Sequence, residues 1–371
     1  MSKKSKDFFS RLLEQADIKI NGSRPWDIQV HNDKLFERVI THGTLGLGEA
    51  YMDGWWDCEE LDGLVFRLSE ADIQSHIKFD FSVMVSLIKG MLLNLQRWRA
   101  FEVGQKHYDI SNELYEAMLD KRMIYSCGYW QGAKTLDQAQ EAKLDLICRK
   151  IGLQPGQHIL DIGSGWGGTL KYCAEKFGAS GLGVTISERQ ADYANKSFGD
   201  LDLEVQLKDY HKLEGQFDHV VSVGMFEHVG YKNYPAYFDK VSQLLKDDGL
   251  FLLHTIGGNI TQNHGDPWAE KYIFPNGMLP SIKQIGAASE GRMVMEDWHN
   301  FGADYDRTLL AWYDNFEAAW PKFEAQFGNR FYRMWRYYLL SFAGVFRSRN
   351  IQLWQIVFSK NGVAGGYKSV R

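Results

Sequence analysis

The run His158–Gly168, HILDIGSGWGG, constrains this 371-residue chain more than any other stretch. A short apolar strand breaks into a turn holding Gly163, Gly165, Gly167 and Gly168, and a helix is expected from about Thr169 to Phe177. Glycines at a strand-to-helix turn let the backbone approach a ligand closely, at the carboxyl end of a parallel sheet. A dinucleotide fingerprint would read G-x-G-x-x-G with an acid about 20 residues further on. Here the acid, Asp161, stands two residues before the first glycine, and the spacing is G-x-G-x-G-G. The next strand, Gly181–Ile186, leads to Thr185 and Ser187, with Glu188 the nearest acid. The early acid and altered spacing favour S-adenosylmethionine over a nicotinamide dinucleotide. Taken alone, the motif also fits an ordinary glycine-rich turn in an α/β protein.

The surroundings supply the alternation that such a sheet requires. Strands are expected at 157–162, 180–186, 203–208, 217–224 and 249–256, with helices between them, which is the doubly wound pattern. A last strand is expected at Ile351–Phe358, after a long aromatic-rich helical stretch from about 307 to 345. At the other end, Phe9, Leu12, Leu13 and Ala16 share one helix face, and Leu35, Val39 and Ile40 share another. A glycine-punctuated aromatic segment, 43–56, follows, so this region reads as a small helical domain. Between the two, Phe81, Met84, Val85, Ile88, Met91, Leu92, Leu95 and Trp98 fall at helical spacing, beside Lys89, Arg97 and Arg99. Two readings stay open for residues 81–98: a helix buried against the protein or a dimer mate, or an interfacial membrane helix with a basic flank.

A net charge of −5 argues against general nucleic-acid binding. Cys58, Cys127, Cys148 and Cys173 form no CxxC pair and have no histidine at zinc spacing, so no metal site is expected. Arg11 and Glu14 interrupt any signal-peptide core after Lys3, Lys4 and Lys6, and no apolar run is long enough to span a bilayer. The expectation is a cytoplasmic protein.

Several stretches together resemble one family, the cyclopropane-fatty-acyl-phospholipid synthases. They are Gly104–Asp109, Tyr125–Trp130, Leu160–Gly168, Val184–Ser187, Gly224–Gly230, Tyr272–Gly277 and Glu296–Gly302. The glycine loop by itself indicates a class I methyltransferase, whereas Tyr-Ser-Cys, Phe-Glu-His-Val-Gly and Phe-Pro-Asn-Gly are far more specific. Two departures are visible. The family loop usually carries cysteine where this chain has Ser164, and some relatives carry a cysteine where Phe342 stands.

The resemblance implies an α/β, Rossmann-like class I methyltransferase fold with a seven-stranded, mostly parallel sheet and a small helical N-terminal domain. The implied division is residues 1–90, a linker at 91–105, and a catalytic domain with a helical lid at 106–371. The activity it implies is methylene transfer from S-adenosylmethionine to unsaturated acyl chains of membrane phospholipids, at the inner face of the membrane, with a homodimer as one possible assembly. The cofactor shell would comprise Tyr125, Ser126, Asp161, Gly163, Gly165, Trp166, Gly167, Thr185, Gln190, Asp209 and Tyr210. For the base, the family pattern is a bound bicarbonate held by the backbone of Cys127 and Ile256 and the side chains of Glu227, His254 and Tyr305.

Read without the family, Asp209 fits a surface turn, Glu227 fits a helix start with a capping acid, and His254 fits a satisfied core histidine. Their position at strand ends, where α/β proteins place ligands, moves Glu227 and His254 toward function. Two rival activities stand beside the implied one. One is a methyltransferase that stops at methylation, and the other is a silent lipid-binding protein.

Overall fold

A computed structural model describes residues 3–71 and 111–371. The helical pattern at 81–98, its basic residues, the expected linker at 91–105 and the stretch Gly104–Asp109 lie outside the described residues. The chain divides into two compact units, each discontinuous in sequence.

The first unit comprises residues 1–118, 264–277 and 309–350. Strands β1 (Gln29–Val30) and β2 (Trp56–Asp57) pair antiparallel beside the helices Lys3–Gln15, Lys34–Met52 and Leu61–Glu70. Phe9, Leu13 and Ala16 are buried as their spacing demands, while Leu12, Val39 and Ile40 are half-buried. These helices do not close a core by themselves. The ring of Trp268 fills the space over Gly48, and Gly344 lies against the Asp62 carbonyl. The segments 264–277 and 309–350, expected in a catalytic domain at 106–371, therefore cluster with the N-terminal helices. The expected helix at 307–345 is two helices, Ala303–Ala319 and Glu324–Arg347. A short 3-10 turn containing Pro321 separates them, because proline cannot donate its backbone nitrogen to a continuing helix.

The second unit comprises residues 119–263, 278–308 and 351–371. Its sheet holds β3 (His158–Ile162), β4 (Ser180–Thr185), β5 (Leu203–Leu207), β6 (Phe217–Val223), β7 (Leu245–Gly258), β8 (Val294–Asn300) and β9 (Ile351–Ser359). The order is β5-β4-β3-β6-β7-β9-β8, parallel from β5 to β7 and antiparallel where β9 meets β7 and β8. Seven strands, mostly parallel, is the architecture expected. The strand missed by sequence is β8. Its residues Val294–Asn300 carry two acids, and a register shift between Met295 and Asp297 destroys the alternation that would have marked it.

Alternation of side chains across the sheet builds two cores. On one face Leu160, Ile162, Val220, Phe251, Leu253, Ile356 and Phe358 pack with Tyr234, Tyr237 and Phe238 of the helix Tyr234–Leu244. On the other, Ile159, Val221, Leu252 and Val357 pack with Leu144 and Ile147 of the helix Leu136–Lys150, with Leu170 and with Ala194. The same parity puts Asp161, His254 and Gln355 on the second face, at its carboxyl end.

Packing in the sheet leaves little slack. A Cβ added at Gly257 would sit 1.9 Å from the Trp354 ring, which is buried against Trp298. Gly257→Ala should therefore destabilise the protein by about 1–3 kcal/mol. A lowered midpoint in thermal or urea unfolding is the expected reading, and an unchanged midpoint would show that Trp354 can move aside.

Candidate active site

At the carboxyl end of β3 the chain turns back through the glycine loop. Gly163 and Ser164 both donate backbone N–H to the Val184 carbonyl at 3.0 Å, which ties the loop to the neighbouring strand. The loop feeds directly into the helix Gly168–Phe177, whose free N–H groups and positive dipole end suit polar or anionic ligand groups. Two of its glycines serve different ends. At Gly167 (φ +81°) an added Cβ would meet the Phe198 ring at 2.6 Å, so that glycine lets two helices close up. At Gly165 (φ +54°) nothing lies within 4 Å, so that glycine keeps the loop open to a ligand.

A cavity of about 490 Å³ lies along this edge. Tyr125, Ser126, Asp161, Gly163, Gly165 and Trp166 form part of its wall, with Thr185, Gln190, Asp209 and Tyr210 beyond them. Of the residues expected around the cofactor only Gly167 is not on the wall. Thr185 Oγ1 bonds Gln190 Oε1 at 2.9 Å, and Ser187 caps the helix Glu188–Phe198 that carries Gln190. Asp209 keeps its turn role as well: Oδ1 accepts from the backbone and ring of His211, which holds its carboxyl below the usual range. The Tyr210 ring stacks on His211 at 4.0 Å between centroids.

Asp161 differs in kind. It is 1 % exposed, its Oδ1 has no hydrogen-bond partner, and burial pushes its carboxyl up to about 7 against the pull of Lys143. A buried acceptor left unpaired on a cavity wall is costly unless something arrives to use it. That matches a cofactor rich in donors.

None of the residues expected to hold the anion is on the cavity wall, yet several are close to it in the chain. Cys127 follows Ser126 and is fully buried, with its thiol pushed well above the ordinary range by desolvation. Glu227 lies in the short turn after β6, where Oε1 accepts the Ile256 N–H at 2.7 Å and Oε2 is buried without a partner. Burial pushes this carboxyl up to about 7. His254, beside it on β7, pairs Nδ1 with the Gln355 amide at 3.2 Å, while Nε2 is buried without a partner. Burial, with Lys143 and Lys150 nearby, drives its pKa well down, so the ring is neutral. Within the protein, then, the Ile256 N–H is already engaged by Glu227. Tyr305 is buried at the first turn of the helix Ala303–Ala319, where Asp304 takes the Trp130 N–H at 2.7 Å and Thr308 the Gly128 N–H at 3.1 Å. Phe342, where some relatives have cysteine, packs edge-on to Tyr338 in the first unit.

Met123, Met225, His228, Val229 and Asn233 also line the cavity; Met225, His228 and Val229 stand in the stretch Gly224–Gly230 that carries the resemblance, whereas nothing in the local pattern marks Met123 or Asn233. Gln140 and Lys143, which grip Ser126, had a visible signal. Lys143 falls at the i+4 and i−4 positions of Ala139 and Ile147, in the middle of an apolar stripe.

This sheet order, with a glycine turn and a cavity at the carboxyl edge, defines a class I S-adenosylmethionine-dependent methyltransferase. The family model for mycolic acid cyclopropane synthetase matches residues 95–356, and the chain belongs to that family. It is 51% identical over 363 residues to the cyclopropane-fatty-acyl-phospholipid synthase of Escherichia coli K12, across 98% of this chain and 95% of the relative. Among solved structures it resembles the cyclopropane synthase MmaA2 of Mycobacterium tuberculosis (TM-score 0.65, 31% identity, 70% of this chain and 98% of that one). It also resembles mycolic acid cyclopropane synthase CmaA1 in complex with SAH and CTAB (TM-score 0.64, 32% identity, again 70% and 98%).

Gly165→Val should abolish binding of S-adenosylhomocysteine while lowering stability by only about 1–3 kcal/mol, the cost of a β-branched residue at positive φ. Gly167→Val should instead lower stability more, through its clash with Phe198. Calorimetric titration and thermal unfolding of both variants separate the two roles; normal affinity in Gly165→Val would remove that glycine from the site.

Proposed function

We propose that this enzyme transfers a methylene group from S-adenosylmethionine to the cis double bond of unsaturated acyl chains in membrane phospholipids, forming a cyclopropane ring. The observation that carries this reading is that Glu227 Oε2, in the turn after β6, and His254 Nε2, on the neighbouring strand β7, are both buried without a hydrogen-bond partner. O- or N-methylation of a polar acceptor needs no such dry polar cluster. The 51% identity to the E. coli phospholipid synthase supports the same substrate class.

An isolated alkene is a weak nucleophile, and its attack on a methyl group leaves a carbocation that water would capture. When bound, S-adenosylmethionine supplies the methyl group on a good leaving group, and bicarbonate a small base that fits where a long side chain would not. The alkene π electrons would form the new C–C bond as the S–CH₃ bond breaks and its pair leaves on sulfur; a methyl proton would pass to the bicarbonate, and the freed C–H pair would close the ring. Asp161 and the loop at Gly165 bind and orient the cofactor. Glu227 Oε2 would accept the hydroxyl proton of the anion and so orient it, while neutral His254 would offer its Nε2 from the adjacent strand. Tyr305 and the backbone of Cys127 complete the cradle, and the apolar surroundings exclude water. Ile256 acts through Glu227, since its N–H fixes the carboxylate.

The lipid is met at the membrane surface. Among the described residues no helix is long and apolar enough to cross a membrane, and an acyl chain is too apolar to leave the bilayer unaided.

Glu227→Gln should keep S-adenosylhomocysteine affinity and lose turnover by a factor of about 10² to 10⁴. In the native enzyme kcat at saturating cofactor should rise with pH through about 7 as Glu227 ionises, since burial holds its pKa there, and this limb should vanish in the variant. Removal of bicarbonate should slow the native enzyme. Full activity of Glu227→Gln, together with indifference to bicarbonate, would mean that a side chain is the base. Fatty-acid analysis decides the reaction type: cyclopropanation adds one carbon and removes the alkene, whereas a retained double bond would mark simple methylation.

Cys127→Ser should retain appreciable activity, because a fully buried thiol with a raised pKa holds almost no thiolate and the residue acts through its backbone. Loss of turnover in a folded, cofactor-binding variant would assign the thiol a chemical role.

A further inference from the structure

Lys143 is fully buried on the helix Leu136–Lys150, among side chains that pack on the sheet. An ammonium group in such a place costs several kcal/mol unless it is paired and hydrogen-bonded. Its Nζ donates to Ser126 Oγ at 3.0 Å. One turn earlier on the same helix face, Gln140 Nε2 donates to the Ser126 carbonyl at 2.7 Å. One helix therefore grips a single residue of the cavity wall at both its hydroxyl and its carbonyl. Next along the chain come Cys127 and Gly128, whose N–H is held by Thr308.

The charges around Lys143 come from several elements. Asp120, in the turn after the helix Asn112–Met118, already accepts backbone N–H groups from Ile124 and Arg122. Cys127 and Asp161 interact electrostatically with the ammonium as well, and His254 feels it from β7. Around Asp161 stand Lys143, Tyr237 on the opposite sheet face, and Cys173 on the helix Gly168–Phe177. Of these Lys143 alone is a cation, and Asp161 Oδ1 has no hydrogen-bond partner of its own.

We propose that Lys143 is a positioning residue for cofactor binding: through Ser126 it fixes one wall of the cavity, and it is the buried cation on the sheet face that carries Asp161, whose Oδ1 is left for the cofactor's donors. This rests on the reading that the cavity takes S-adenosylmethionine. A neutral carboxyl would present a proton on one oxygen and lose acceptor capacity on the cavity side. With Lys143 present the Asp161 carboxyl titrates near 7. Removing the cation moves that titration further up, because desolvation is then unopposed.

The test is calorimetric titration of S-adenosylhomocysteine from about pH 6 to about pH 9, with the native profile read below about 8, the pH at which burial lets Lys143 itself lose its proton. Binding to the native enzyme should strengthen as pH rises through about 7, and Asp161→Asn should remove that rise. In Lys143→Met the rise should come later by about one pH unit or more, the shift expected from losing a nearby opposite charge. Lys143→Gln keeps a donor for Ser126 and should show the same shift with a smaller loss of affinity. A lysine that merely fills the core would lower affinity equally at every pH. Profiles of the variants parallel to the native one, or a native profile that is flat, overturn the proposal, and the native profile tests it even where a variant does not fold. Failure of the native enzyme to bind S-adenosylhomocysteine at any pH would overturn the cofactor reading of the cavity first, and this inference with it.

Discussion

Desolvation of ionisable groups at the carboxyl edge of the sheet is the constraint on which the candidate site depends. Asp161, Glu227, His254 and Lys143 are all buried there, and each has its ordinary ionisation displaced by the loss of water. Such groups cost the fold stability, which the two extensive apolar layers on either side of the sheet offset. In return every electrostatic interaction made there is stronger than it would be in water.

Alternation along the strands decides which groups meet. On β7, Phe251 and Leu253 enter one core, while Leu252 enters the other and carries His254 to the same side, two residues on. Asp161 follows Ile159 by the same rule on β3. Both therefore end on the face covered by the helix Leu136–Lys150, within the influence of Lys143. A slip of one residue in either strand would turn these groups into the opposite core. The geometry of this sheet edge and the packing of the core are thus one specification, because the same register sets both.

The glycine loop joins that specification to ligand binding. Gly167 allows its helix to pack against Phe198, and Gly165, two residues away, is open to the cavity. One glycine serves helix packing and the other leaves the cavity wall open, so the motif cannot be judged as a unit. The same division runs through Asp209, which caps a turn through His211 and also lines the cavity.

The sequence by itself determined the strand-and-turn framework. Apolar runs bounded by glycine located β3 to β7 and β9, and the acid-before-glycine spacing pointed to the cofactor class. Glu227 stands in a distinctive stretch, Gly224–Gly230, whereas His254 is singled out only through the resemblance and its place on a strand near the carboxyl edge. The tertiary structure alone decided what depends on distant partners. β8 was hidden because a bulge and two acids erase its alternation, and it exists by pairing with β9. The N-terminal helices looked like a separate domain, but their apolar faces are completed by Trp268 and by the helix bearing Gly344. Lys143 stands out in the sequence as a lysine inside an apolar stripe, but its partners, Ser126 17 residues earlier and Asp161 on another element, are set only by the fold. Local propensity and spacing are written along the chain, whereas burial and the charges it displaces arise only when remote segments close around them.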